Sequence, residues 1–262
     1  MEQDQQVQPK VALVTGAARR LGRSIALALA QDGWDLVIHY RASAEAAQEV
    51  VDEIHRLGRR AIALAADLDA DSEIEGLLPR CVEGLGEVRC VVNNASRFEY
   101  DSIAEFSASR LEAHMRSNLV APVLLARGLF ERRRALGSAS GDAAVINLLD
   151  QKLFNPNPDF FSYTISKSAL MAATTMLAQA LAPHVRVVGL APGITLPATG
   201  QSPDNFAAAH RATPLLHSST PLDIARAVCY LASAAAVTGT TLLVDGGQHL
   251  VASERDVMFT AP

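Results

Sequence analysis

The sequence predicts an α/β protein in which one doubly wound, Rossmann-type parallel sheet is flanked by helices. Short apolar runs alternate with longer helical stretches from end to end, which implies parallel pairing through right-handed crossovers. The first run passes through a glycine turn into a helix, as nucleotide-binding sheets do. In 262 residues an apolar fraction of 49% is enough to fill one large core.

Each element follows from its local pattern. Val11–Thr15 is a short apolar run ending at Gly16, a buried strand by length and flanks. Arg20 to Asp32 reads as a helix stopped by Gly33, and Asp35–Tyr40 is the second strand. Ser43 is the predicted cap of the next helix, where Ala47, Val50, Val51, Ile54 and Leu57 share one face. Gly58 ends it. Further strands are expected at 61–66, 89–93, 144–149, 185–190 and 240–244, with helices at roughly 71–84, 107–134, 163–182 and 221–234. The last helix opens Thr220-Pro221-Leu222-Asp223: a cap residue, a proline at the first helical position and an acid in the first turn. Helix 163–182 is apolar or small nearly all round, so one face covers the sheet and the other calls for a subunit partner. Residues 1–10 are expected to be a flexible tail and 11–262 a single domain, with a substrate loop at about 194–217.

Composition excludes several classes. A net charge of −5 argues against a nucleic-acid partner. The run Arg132-Arg133-Arg134 is too short for a basic face and reads as a solvated helix end. Cys81, Cys90 and Cys229 share no metal-ligand spacing, so no metal site is expected. No apolar stretch reaches the ~18 residues of a membrane span, and the polar start lacks a signal-peptide segment. The expected compartment is the cytoplasm.

The first turn, Thr15-Gly16-Ala17-Ala18-Arg19-Arg20-Leu21-Gly22, can aim backbone N–H groups and a helix N-terminus at a pyrophosphate. It is not the three-glycine dinucleotide fingerprint, because Arg20 occupies the middle glycine position. The end of the second strand sharpens the reading. An NAD site places an acid there for the ribose hydroxyls, whereas this chain has His39-Tyr40-Arg41-Ala42-Ser43. Arginine and hydroxyl donors suit a 2′-phosphate, which favours NADP(H).

The ordered motifs resemble the short-chain dehydrogenase/reductase family. They are Thr15-Gly16…Gly22, Asp67 after the third strand, Asn93-Asn94-Ala95, Asn118, Tyr163-Thr-Ile-Ser-Lys167, Pro192-Gly193 and Val244-Asp-Gly-Gly247. The resemblance implies a seven-stranded sheet, a nicotinamide cofactor and a homotetramer. It implies cofactor contacts from Gly16, Arg20, Leu21, His39, Tyr40, Arg41, Asp67, Leu68, Asn94, Ala95, Ser96, Lys167, Pro192, Gly193 and Thr195. Tyr163 and Lys167 lie one helical turn apart and share a face. An ammonium beside the phenol is expected to lower the tyrosine pKa, letting Tyr163 deliver a proton as hydride arrives. Asn118 matches the family's relay asparagine or simply bridges helix and strand.

One position departs from the family. Most members carry a serine where Asp150 ends the fifth strand, and an ionised carboxylate there would repel a developing oxyanion. Asp150 suits a substrate with N–H donors instead. Together with Arg20 in the glycine loop, His39-Tyr40 and Asn93-Asn-Ala-Ser-Arg-Phe98, it resembles the pteridine reductase branch. That resemblance implies a phenylalanine, here Phe98, stacked on a pterin, with Arg20 and Ser96 touching both cofactor phosphate and pterin. Arg97 replaces a small polar residue and is expected to narrow or recharge the pocket. The expectation is NADPH-dependent reduction of a pterin by Asp150, Tyr163 and Lys167, possible substrates including dihydrofolate and oxidised pterins. The alternatives are a general carbonyl or 3-oxoacyl reductase and a non-catalytic NADP(H)-binding regulator. In the reductase readings the partner is a small molecule, with no nucleic acid and no membrane.

Overall fold

Val11–Val14 (β1) is buried along its whole length, as a central parallel strand covered on both faces must be. In a computed structural model, which describes residues 10–138, 141–198 and 200–260, β1 anchors a parallel sheet of seven strands. The others are Asp35–Tyr40 (β2), Ala61–Ala65 (β3), Val88–Asn93 (β4), Ala144–Leu148 (β5), Arg186–Pro192 (β6) and Thr241–Val244 (β7). Their order is β3-β2-β1-β4-β5-β6-β7. The chain reverses direction across the sheet between β1 and β4, the switch point where such sheets open a crevice at their strand ends. The expected tail lies almost entirely outside the described residues.

Helices cover both faces. On one, Arg20–Gln31 (α1), Ala44–Arg56 (α2) and Pro221–Ser233 (α8) enclose a core that includes Ile25, Leu29, Leu36, Ile54 and Val228. On the other, Asp71–Leu85 (α3), Ala121–Ala135 (α5) and Phe161–Leu181 (α6) pack Leu13, Leu77, Leu125 and Leu129. The Thr220 hydroxyl accepts from the Asp223 N–H, and the Asp223 carboxylate accepts from the Thr220 N–H, a reciprocal cap for α8. Among the described residues no helix is long and apolar enough to cross a membrane.

Four expectations need correction. The helix expected over 107–134 is interrupted: Ala108–Met115 (α4) passes through a π-helical turn, Arg116–Val120, before α5 begins. Pro122 explains the widening, since its ring would collide with the carbonyl one turn earlier. Ser43 stands at the start of α2 but makes no side-chain capping bond. The arginine run is not simply solvated: Arg133 is buried and paired with Asp142, Arg132 pairs with Glu87, and Arg134 lies over Phe130. The loop after β6 also holds a helix, Pro203–Arg211 (α7), started by the Ser202 hydroxyl accepting from the Asn205 N–H.

Candidate active site

The site is a cleft of about 990 Å³ along the carboxyl ends of the strands. At one end the turn after β1 forms a cradle. Gly16 adopts φ +63°, and its N–H donates to His39 Nδ1 at 3.1 Å. His39 Nε2 therefore carries the proton and donates to the Ala66 carbonyl at 3.1 Å. Burial lowers the His39 pKa, which preserves this neutral form. Thr15 Oγ1 accepts from the N–H groups of Asn94 and Ala95, and Asn94 Nδ2 donates to the Thr15 carbonyl at 2.8 Å. The cradle thus joins the ends of β1, β2 and β4.

Glycine is required where backbone must be approached. A Cβ on Gly22 would sit 2.3 Å from the Gly16 carbonyl oxygen, and one on Gly193 would sit 2.7 Å from Asp245 Cα. Arg19, Arg20 and Arg41 line the cradle rim, and Arg20 donates to the Pro197 carbonyl at 2.9 Å. Leu21, Asp67, Leu68, Ala95, Pro192 and Thr195 line the cleft. Tyr40 does not. Neighbouring strand residues face opposite ways, so with His39 turned to the cradle Tyr40 packs on the α1/α2 core. A glycine-lined cradle with cationic rim groups and no acid ending β2 fits a dinucleotide carrying an extra phosphate.

At the other end stand Asp150, Tyr163 and Lys167. Asp150 follows β5; its Oδ1 accepts the Lys152 N–H at 2.9 Å, turning Oδ2 toward the Tyr163 hydroxyl, which donates to it at 2.9 Å. Lys167 points to the β5 carbonyl of Leu148 at 2.7 Å, with its ammonium 5.9 Å from the Tyr163 ring centre. Burial, reinforced by Asp150, holds the Tyr163 pKa well above its ordinary value, against the expected depression by lysine. Burial raises the Asp150 pKa and lowers that of Lys167 to about 8. Here desolvation and the carboxylate outweigh the ammonium. The phenol keeps its proton until something more basic arrives.

Phe98 lies between the two ends, 48% exposed, stacked on Phe160 at 4.4 Å and meeting the Tyr163 ring edge-on at 4.7 Å. Asn118, presented by the π turn, holds the loop after β4 on which Phe98 rides. Its Oδ1 accepts from the Arg97 N–H and the Ser96 hydroxyl, while Nδ2 donates to the Arg97 carbonyl and to Ser166 Oγ. These contacts tie the π turn to the loop after β4 and to α6. Arg97 does not recharge the pocket with a free cation, because its guanidinium pairs with Asp69 and Glu99.

Several wall residues escaped the sequence reading. Phe160 takes φ +52° to stack on Phe98, and nothing in its flanks announces this. Lys152, 5% exposed, contacts Asp159 and Asp256. The segment carrying Val251, Ser253, Asp256 and Met258 folds back to line the cleft. Lys152 alone carried a signal: it is one of three lysines and stands two places after Asp150.

The fold and site together define an oxidoreductase built on a nucleotide-binding sheet, with a proton-transfer pair at its chemical end. The chain belongs to the short-chain dehydrogenase family, whose model matches residues 10–206. It resembles solved structures of the alternative dihydrofolate reductase 1 FolM, complexed with NADP, from Brucella canis and Brucella suis. The first is 36% identical with TM-score 0.87, covering 93% of this chain and 95% of that one. The second is 37% identical with TM-score 0.87, covering 94% and 97%. A 3-oxoacyl-[acyl-carrier-protein] reductase of Staphylococcus epidermidis is 30% identical over 92% of this chain and 99% of that protein.

Proposed function

We propose that the protein is an NADPH-dependent reductase of pterins, converting a dihydropterin to a tetrahydropterin. One observation carries the reading: a carboxylate, Asp150, stands hydrogen-bonded to the reactive tyrosine where an oxyanion-stabilising hydroxyl would serve a ketone. The similarity to two enzymes named as alternative dihydrofolate reductases supports it.

The Gly16–Gly22 cradle and Lys167 would hold NADPH, which when bound would provide hydride for a ring carbon of the substrate. Asp150 accepts from the 2-amino and ring N–H groups and so fixes the ring's orientation. Tyr163 gives its proton to the ring nitrogen that gains electrons. The phenolate left behind regains a proton from solvent water relayed through Asp150, along the bond the two share, so the pair acts as one proton-transfer unit. Lys167, largely charged below pH 8, offsets the negative charge that passes through Tyr163. Phe98 offers an aromatic face to the heterocycle, and the loop at 194–217, with Thr195 and Leu196 on the cleft wall, closes over it. The enzyme works in the cytoplasm as a homotetramer, with the α6 face around Met176, 68% exposed, as a subunit contact.

NADPH oxidation, followed by absorbance with dihydrobiopterin, dihydromonapterin, dihydrofolate and a 3-oxoacyl thioester, tests this. Turnover of a dihydropterin or dihydrofolate is expected. Turnover of the thioester alone would show a carbonyl reductase, and tight NADPH binding with no turnover would show a regulator.

A further inference from the structure

The segment after β7 returns to the chemical end of the cleft and is fastened there by charge. Asp159 accepts two bonds from Arg255, Nε to Oδ2 at 2.8 Å and Nη2 to Oδ1 at 2.9 Å. The Asp256 N–H donates to Asp159 Oδ2 at 2.7 Å. Lys152 closes the circle: its ammonium donates to the Asp159 carbonyl at 2.6 Å and pairs with Asp256 Oδ2 at 3.3 Å. Its ammonium also lies 5.4 Å from the centre of Phe160, the ring stacked on Phe98. Phe259 extends the fastening, meeting Tyr100 at 5.4 Å and Phe160 at 6.3 Å.

Lys152 is thus tied to both sides of the site at once. Through its backbone it holds Asp150 Oδ1, and through its side chain it holds the segment whose Asp256 lines the same cleft. We propose that Lys152 is a positioning residue that couples the C-terminal segment to the Asp150–Tyr163 pair, with the Lys152–Asp256 couple setting the charge that Asp150 meets. This rests on the proton-delivery role given to that pair above, but not on which substrate receives the proton.

The charged and titratable groups around Asp150 are few. Tyr163 and Lys167 face it from α6, Lys152 from the turn after β5, and Asp256 from the C-terminal segment. Lys152 favours the ionised carboxylate, whereas Asp256 opposes it, so the two act on Asp150 with opposite sign. A purely mechanical fastening has no such signature. Lys152→Met and Asp256→Asn break the same ion pair, yet remove charges of opposite kind.

The test is a pH titration of Asp150 in the full-length protein, cofactor-free and NADPH-saturated, by carbon NMR of aspartate labelled at its carboxyl. The signal is assigned by its loss in Asp150→Asn. The expected midpoint moves up in Lys152→Met, down in Asp256→Asn, by roughly half a unit or more each. It returns towards the wild-type value in the double variant. Lys152→Arg keeps the wild-type midpoint. With a turned-over substrate, Lys152→Met and Asp256→Asn both raise KM, while the acidic limb of the kcat profile follows the two opposite midpoint shifts. Movement of both midpoints in one direction, or of neither, overturns the proposal. If Lys152→Met does not fold, Asp256→Asn decides by the sign of its shift. Opposite shifts in a protein that turns over no pterin would leave this coupling standing and remove the pterin reading.

Discussion

The Tyr163 hydroxyl donates to Asp150 Oδ2 at 2.9 Å, and this bond keeps the phenolic proton in place rather than releasing it. A carboxylate that accepts from a phenol stabilises the protonated phenol, and burial acts in the same direction. In the proposed reaction proton transfer awaits a substrate nitrogen made basic by hydride addition, which couples the two events in time. Asp150→Ser should lower kcat/KM for a dihydropterin by about 10²–10⁴-fold, the range for losing a positioned acid–base group, with NADPH affinity unchanged. Steady-state kinetics and fluorescence titration of NADPH measure the two. Unaltered pterin turnover would show that the carboxylate has no chemical part.

The same burial that serves chemistry costs stability. The Asp150 pKa is raised in the fold above its ordinary 3.8, so the folded protein holds that proton more tightly than the unfolded chain. The stabilising contribution is complete below pH ~3.8 and is lost as pH rises through the folded value. Asp150→Asn, which carries no charge to desolvate, should melt higher than wild type at pH 7 by about 2–4 °C for each kcal/mol recovered. That advantage should vanish as the pH falls towards 4. Thermal melts across this range give the answer, and an advantage that persists at low pH would refute the assignment.

Lys167 makes the complementary case at the alkaline end. Its folded pKa of about 8 lies below the ordinary 10.5, so between these values the unfolded chain binds the extra proton. Stability from this group is fully present above pH 10.5 and is lost as pH falls through 8. Lys167→Met should therefore gain on wild type as the pH is lowered from 10 to 7, measured by denaturant melts of the cofactor-free protein. The variant also loses the bond to the Leu148 carbonyl, which adds a cost of about 1 kcal/mol at every pH but leaves the slope unchanged. A flat difference between the two proteins would place the ammonium in a wetter site.

Phe98 has one ring face against Phe160 and a T-shaped contact with Tyr163, so its position is set before any ligand arrives. Phe98→Ala should raise KM for a dihydropterin by about 3–10-fold, in line with ~0.5–1.5 kcal/mol for an aromatic pair, while changing kcat less. Because the ring is half exposed, its loss should cost little of the protein's stability. An unchanged KM would assign Phe98 to loop packing alone.

How far the site was legible follows from the range of each interaction. Tyr163 and Lys167 share a helix face, and Asp150 ends a strand; these positions are set by local periodicity and could be read directly. Parallel pairing follows from the alternation of strands and helices, and Gly16 and Gly22 from the turn they must make. What stayed hidden depends on contacts distant in sequence. Lys152 meets Asp256 across 104 residues of sequence, and Phe160 stacks on Phe98 through a left-handed backbone that no flanking glycine signals. The expected Tyr163 depression failed for a related reason: spacing reveals that a lysine is near, but not that it turns to the Leu148 carbonyl while a carboxylate takes the hydroxyl. Tyr40 turns away from the cleft because it alternates with His39 along β2.

Cofactor choice rests on the end of β2, where Arg41 lines the cradle rim and an acid would otherwise hold ribose hydroxyls. A guanidinium there can make charge-assisted bonds to a 2′-phosphate, whereas a carboxylate would repel it and accept from free hydroxyls. Arg41→Asp should therefore raise KM for NADPH by about 10–100-fold, the equivalent of one or two such bonds, and leave KM for NADH equal or lower. Arg19 and Arg20 line the same rim, so some preference for NADPH should survive the single change and fall further when Arg19 is also replaced. Kinetics with both nucleotides at fixed substrate decide it. Parallel loss for NADPH and NADH would mean that Arg41 supports the loop and does not read the phosphate.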